Sequence, residues 1–221
     1  MPKNRIKEQW YWFAHWLCRI FCKVFFKMKV SGLENLPGDG AFLLISNHQS
    51  YLDPLFCGVS VRRSLYFLAR ATLFANWFSG RLLPSIHAIP VRRGQADLAA
   101  MKTVIEKLKQ GTGVCLFPEA TRTRDGRIAT FKPGLGLLCR RGRAGIVPVV
   151  IDGAFECWPR DNKIFSPGKT IVVRYGQFIT AEQVNEMNDR QLAEKLTDTL
   201  RQMQNHCRIN HGKKPYDYQG I

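Results

Sequence analysis

In the stretch Asn47-His48-Gln49-Ser50-Tyr51-Leu52-Asp53, four residues separate an imidazole from a carboxylate. A histidine removes a proton from a hydroxyl near neutral pH, and a carboxylate on its other ring nitrogen fixes the tautomer and stabilises the imidazolium that forms. The pair follows the apolar run Ala41-Phe42-Leu43-Leu44-Ile45. If 41–46 is a buried strand, His48 sits in the turn just past its carboxyl end. Asp53-Pro54 then reads as an N-cap followed by a proline at the first helical position, so both side chains can face one crevice. The competing reading is that Asp53 merely caps a helix and His48 is an ordinary turn residue. An isolated pair of this kind does not decide between the two.

A second apolar run, Val114-Cys115-Leu116-Phe117, ends at Pro118 and opens into Glu119-Ala120-Thr121-Arg122-Thr123. Arginine presents a planar fork of donors that matches phosphate oxygens, and a nearby carboxylate can hold the guanidinium or accept a substrate hydroxyl. Thr121 and Thr123 add hydroxyl donors. Arg124, Arg127, Lys132, Arg140, Arg141 and Arg143 follow in the next loop and helix. Taken alone, such a run of cations is also what a solvated face looks like.

Together these residues resemble the lysophosphatidate acyltransferase (1-acylglycerol-3-phosphate O-acyltransferase) family, and the likeness covers most of the chain. Asn47-His48 to Asp53 resembles the family's first block, Ile89-Pro90-Val91-Arg92-Arg93 the second, Phe117 to Thr123 the third and Ile146-Val147-Pro148-Val149 the fourth. The order and spacing fit, and each block ends an apolar run. The chain departs from the family pattern in carrying Ala120 and Thr123 where glycine and serine are usual, and Arg92 where an acidic residue often precedes the arginine. The resemblance implies that His48 is the general base and Asp53 its orienter. It implies that Arg93, Glu119 and Arg122 contact the acceptor's glycerol phosphate, with Thr121, Thr123 and Lys132 completing the substrate-binding set.

The implied reaction moves a fatty acyl group from an acyl thioester, either acyl-coenzyme A or acyl carrier protein, to the free hydroxyl of lysophosphatidate. The thioester is a co-substrate, and no cofactor or metal is expected. None of the seven cysteines lies next to His48 in sequence, so a Cys-His nucleophile is not indicated. Cys57, the nearest, reads as a small buried thiol. The odd cysteine count, at irregular spacing without Cys-x-x-Cys, argues against a disulfide framework or a zinc site and implies a reducing compartment.

The net charge of +16 marks a surface that seeks anions. Membrane head groups, coenzyme A pyrophosphate, an acidic carrier protein and nucleic acid all qualify. Nucleic acid is disfavoured, because the Arg122–Arg143 cluster has neither interleaved aromatics nor a recognition helix. Trp10 to Lys27 is dense in aromatics, and His15, Arg19, Lys23 and Lys27 recur every fourth residue. Spanning a bilayer takes about 20 mostly apolar residues, and each cation near its centre costs about 2.5–3.5 kcal/mol. The pattern therefore predicts an amphipathic helix lying in the head-group plane, with packing on the domain's own core as the alternative. With the reducing compartment implied by the cysteines, the chain is expected at the cytoplasmic face of the cell (inner) membrane, peripheral or monotopic. A signal peptide is not indicated.

With 221 residues, 45% of them hydrophobic, and no linker or repeat, the chain can bury one sizeable core. We read residues 1–30 as the membrane-associating helix, 31–209 as the acyltransferase domain and 210–221 as a frayed tail. Strand candidates at Leu65–Ala69, Val114–Phe117, Ile146–Ile151 and Lys169–Tyr175 alternate with helices at Thr72–Ser79 and Gln95–Gln110. A final helix is expected after capping boxes at Thr180–Gln183 and Asn188–Gln191. Leu73, Phe74, Trp77 and Phe78 are expected to pack in the core or to line an acyl groove. The alternation predicts a single α/β domain with a mixed, mostly parallel sheet flanked by helices and a site at the strands' carboxyl ends. Two other functions remain open: acylation of another lyso-lipid, such as a lysophospholipid or lyso-aminolipid, and a non-catalytic membrane-binding module.

Overall fold

The computed structural model describes residues 2–92 and 97–218, with side chains from residue 5 onward. Seven strands form one sheet: β1 (Lys27–Ser31), β2 (Phe42–Ser46), β3 (Leu65–Arg70), β4 (Ala88–Val91), β5 (Gly113–Leu116), β6 (Gly145–Asp152) and β7 (Thr170–Tyr175). Their spatial order is β1-β7-β6-β2-β5-β3-β4, and every pairing is parallel except β6 with β7. The helices are α1 (Pro2–Phe25), α2 (Asp53–Gly58), α3 (Trp77–Ser85), α4 (Leu98–Lys109), α5 (Leu135–Gly142), α6 (Ala154–Cys157), α7 (Ala181–Asn185) and α8 (Asp189–Asn210).

β2 shows why its sequence is a continuous apolar run. Successive side chains of a strand point to opposite faces, so a strand covered on both sides must be apolar throughout. Leu43 and Ile45 join one buried cluster with Val104 and Leu108 of α4 and Leu192, Leu196 and Leu200 of α8. Phe42 and Leu44 join the other with Phe56 of α2, Cys157 of α6 and Cys22 of α1. Both predicted capping boxes form, on α7 and α8.

Several expectations need correcting. The proposed helix over Thr72–Ser79 is a short 3-10 turn, Ala71–Phe74, followed by α3. Asn76 separates them because its side chain accepts the Phe78 N–H and so starts a new helix. The aromatics there do not pack in the core: Trp77 is 74% exposed and Phe78 63%. α4 starts at Leu98 with Asp97 as its cap rather than at Gln95, and Gln95 and Ala96 lie outside the described residues. α1 ends at Phe25, so Lys27 opens β1 instead of extending a charged helical stripe. The tail is packed rather than frayed over 211–218, because Lys213 reaches Asp152 and Glu156 while Tyr216 and Tyr218 bond back to α8; residues 219–221 lie outside the described residues.

Candidate active site

β2 lies between β6 and β5, and all three run the same way. The turn after β2 and the loop after β5 therefore leave the sheet side by side at its carboxyl end, where ligands bind in open α/β sheets. Asn47 fixes the turn. Its side chain donates to the Ile151 carbonyl at 2.9 Å and accepts the Ile151 N–H at 2.8 Å, joining the end of β2 to β6.

His48 Nδ1 lies 2.7 Å from Asp53 Oδ2. The same oxygen accepts the Gln49 N–H at 2.5 Å and the Ser50 N–H at 2.7 Å. Asp53 is thus the first residue of α2 and not its N-cap; Leu52 holds that position with no side-chain bond. The carboxylate turns back because the preceding turn offers an imidazole and two amides. Ahead of it, Pro54 has no N–H to offer. Burial pushes the Asp53 carboxyl up, against the pull of the His48 hydrogen bond and charge and of the Ser50 and Gln49 amides. With Nδ1 engaged, Nε2 is the ring nitrogen left to meet a hydroxyl. The His48 ring stacks on Phe117 at 4.4 Å between centroids and is largely buried.

The loop after β5 grips the backbone of His48 from both sides. Glu119 Oε1 accepts the His48 N–H at 2.9 Å, and the Thr123 N–H donates to the His48 carbonyl at 2.8 Å. Glu119 Oε2 also accepts the Ala129 N–H at 3.5 Å. Burial pushes the Glu119 carboxyl up to about 7. Among the described residues Glu119 bonds backbone amides rather than Arg122. That guanidinium lies over the Tyr51 ring, 3.3 Å from its centroid, and its buried Nη1 has no partner among the described residues. Tyr51 in turn packs on Trp158 at 5.0 Å.

Arg122 faces a cavity of about 390 Å³ that is also lined by Glu119, Thr121, Thr123, Arg127 and Arg160. Thr121 is exposed and accepts from Arg160 Nη1 at 3.4 Å. Lys132 is exposed and is not among the side chains lining this cavity. Arg93 lies outside the described residues. An apolar groove of about 410 Å³ abuts the same turn, lined by Tyr51, Leu52 and Leu55, Tyr11 and His15 of α1, and Leu73. Tyr51 belongs to the groove and carries the arginine of the cavity, so it stands where the two meet.

Sequence reasoning passed over Gln49, Tyr51, Arg160 and Gln204. Gln49 Nε2 and Gln204 Nε2 both donate to the Gly126 carbonyl, at 2.9 and 3.0 Å. Gln204 had a signal, because it continues the four-residue spacing of Leu192, Leu196 and Leu200. A polar residue on a buried stripe has a partner to satisfy. Arg160 had none.

Residues 27–152 match the family model described as Acyltransferase. A 1-acyl-sn-glycerol-3-phosphate acyltransferase of Bacillus subtilis is 33% identical over 144 residues, covering 64% of this chain and 69% of that protein. The Pseudomonas aeruginosa protein of the same name is 30% identical over 193 residues, covering 84% and 73%. A chloroplastic one from Arabidopsis thaliana is 29% identical over 169 residues, covering 73% of this chain. The chain spans about half the length of the first curated relatives it matches. The fold is that of the 1-acyl-sn-glycerophosphate acyltransferase structure from Thermotoga maritima. The TM-score is 0.75 at 22% identity, and the likeness covers 87% of this chain and 79% of that one.

Proposed function

Because the chain belongs to the acyltransferase family, we propose that it acylates the free hydroxyl of lysophosphatidate to give phosphatidate, using acyl-coenzyme A or acyl carrier protein as donor. The observation that carries the reading is the His48–Asp53 pair at 2.7 Å, in a turn whose Tyr51 lines an apolar groove and whose His48 backbone is held by Glu119 and Thr123, both lining the arginine-rich cavity. His48 Nε2 takes the hydroxyl proton as the oxygen attacks the thioester carbonyl. The tetrahedral centre collapses with loss of the C–S bond, and the imidazolium returns the proton to the departing thiolate. No acyl-enzyme is formed. The acceptor's phosphate meets Arg122 and its neighbours, and an acyl chain lies in the groove.

The protein works at the cytoplasmic membrane face. Among the described residues no helix is long and apolar enough to cross a membrane. α1 packs Tyr11 and Cys22 on the domain and leaves Phe13, Trp16, Leu17, Ile20 and Val24 exposed, with Arg19 and Lys23 exposed beside them. Such a helix buries its apolar face at the acyl boundary and points its cations at head groups.

The test is thioester consumption by the purified protein on anionic vesicles, offering lysophosphatidate beside lysophosphatidylcholine, with His48→Ala as control. Turnover with lysophosphatidate, lost in the variant, is expected. Turnover only with another acceptor changes the substrate, and retained turnover in His48→Ala removes the base. Vesicle binding without turnover of any donor leaves a membrane-binding module as the function.

A further inference from the structure

We propose that the segment Lys213–Tyr218 is a strap that sets the geometry of the loop carrying Arg122, with Tyr218 and Gln204 as positioning residues acting through Gly126 and Ile128. The inference rests on the reading that the Arg122 cavity receives the acceptor's phosphate.

α8 ends at Asn210, and the chain doubles back along it. Asn205 holds the strap by both backbone groups of Tyr216, donating to its carbonyl at 2.9 Å and accepting its N–H at 2.7 Å. Lys213 and Arg208 close on the buried Asp152, each at 3.0 Å, at the end of β6. Arg208 also lies under the Tyr216 ring at 3.9 Å. A segment fixed at this many points can transmit a position.

What it transmits is the placement of the Tyr218 hydroxyl. That hydroxyl donates to Gln204 Oε1 and accepts the Ile128 N–H at 3.1 Å. Gln204 is fully buried, so with its oxygen engaged its amide is aimed at the Gly126 carbonyl. Gln49, next to His48, donates to the same carbonyl and accepts the Phe155 N–H at 3.3 Å. One carbonyl of the loop is thereby shared between the strap's helix and the catalytic turn. The approach is close: Gly126 has φ 86°, and a Cβ there would lie 2.1 Å from the Tyr216 hydroxyl. Thr123, which bonds the His48 carbonyl through its N–H, accepts the Gly126 N–H at 3.1 Å through its hydroxyl. The order of contact is Tyr218, Gln204, Gly126, then Thr123 and Gln49, then His48.

Tyr218→Phe keeps the ring over which Arg201 lies at 4.7 Å and removes only the hydroxyl. Gln204→Met keeps the volume and removes the amide. Two measurements on the full chain decide: acceptor steady-state kinetics, and amide hydrogen exchange of segment 119–131 against β6 as an internal reference. Both variants are expected to raise acceptor KM about five- to tenfold with kcat within about twofold. Exchange in 119–131 should quicken while β6 is unchanged. Arg190→Ala, at the far end of α8, should alter neither. Unchanged exchange in 119–131 overturns the proposal. So does equal loss of protection in β6 together with a matched fall in kcat, which marks general support of the fold. If the wild type acylates no lysophospholipid, the functional reading fails by itself, and the exchange experiment still decides the strap.

Discussion

At the scale of single residues, the proposed mechanism depends on what Asp53 does to His48. Its Oδ2 accepts from the imidazole and from two amides that cannot rotate away. Asp53→Asn offers an amide N–H or a weaker oxygen to Nδ1 and loses the tautomer that leaves Nε2 basic. It should lower kcat by roughly 10²–10⁴-fold with little change in acceptor KM, read by initial rates. Glu119 carries a pH signature. Its carboxyl titrates at about 7 in the fold against an ordinary 4.5. Between these values the folded chain binds more protons than the unfolded one, so stability falls as pH rises through the window. Glu119→Gln lacks this slope. Its melting temperature should gain on the wild type from about pH 4.5 to 7 and then hold level; a constant difference across that range would show that Glu119 is not the group responsible. Ala120 holds φ 55°, the left-handed region that favours glycine and that costs an L-residue about 1–2 kcal/mol. Ala120→Gly regains part of that and gives some back to the freer unfolded chain. A rise in melting temperature of up to a few degrees is expected.

At the scale of elements, five of the seven strands were legible to within a residue at either end, β2 most plainly because burial on both faces writes a continuous apolar run, as in 41–46; β1 and β4, neither of them buried throughout, were not expected as strands. The junction of β2 with β6 was less so. Asn47 was visible as part of a motif, but its bond to Ile151 joins residues 104 apart, and no local pattern reports such a partner. Asn47→Ala leaves the Ile151 N–H and carbonyl unpaired and buried, at about 1–3 kcal/mol for each group. For a chain of this size each kcal/mol is worth about 2–4 °C. A thermal melt should therefore fall by several degrees, while Asn35→Ala, which removes one half-buried bond to the Tyr175 carbonyl, should cost less. The antiparallel β6–β7 pairing and the edge position of β1 are likewise facts of topology, carried by no residue type. α3 misled for another reason. Its aromatics are those of a core helix, and only the cap at Asn76 and the tertiary packing show that it contributes nothing buried.

At the scale of the whole molecule, charge and apolar exposure make separable claims on a membrane. On the proposed reading, a net charge of +16 would draw the protein to an anionic surface from a distance, and salt would weaken that attraction. The exposed face of α1 acts only in contact. Ile6, Trp10, Phe13, Leu17, Ile20 and Val24 recur at intervals of four and three along it, all exposed, opposite the face where Tyr11 and Cys22 are buried. Burying one such side chain is worth about 1.5–3 kcal/mol. Phe13→Ser with Leu17→Ser should therefore weaken binding to phosphatidylglycerol vesicles by at least tenfold at fixed salt, measured by co-sedimentation. Raising salt should weaken wild type and variant in parallel, because the cations are untouched. Turnover of a short-chain acceptor below its critical micelle concentration should survive in the variant, since neither residue is among those lining the groove or the Arg122 cavity. Vesicle affinity equal to the wild type's would move the contact surface elsewhere, with the exposed Trp77 and Phe78 of α3 the next face to test.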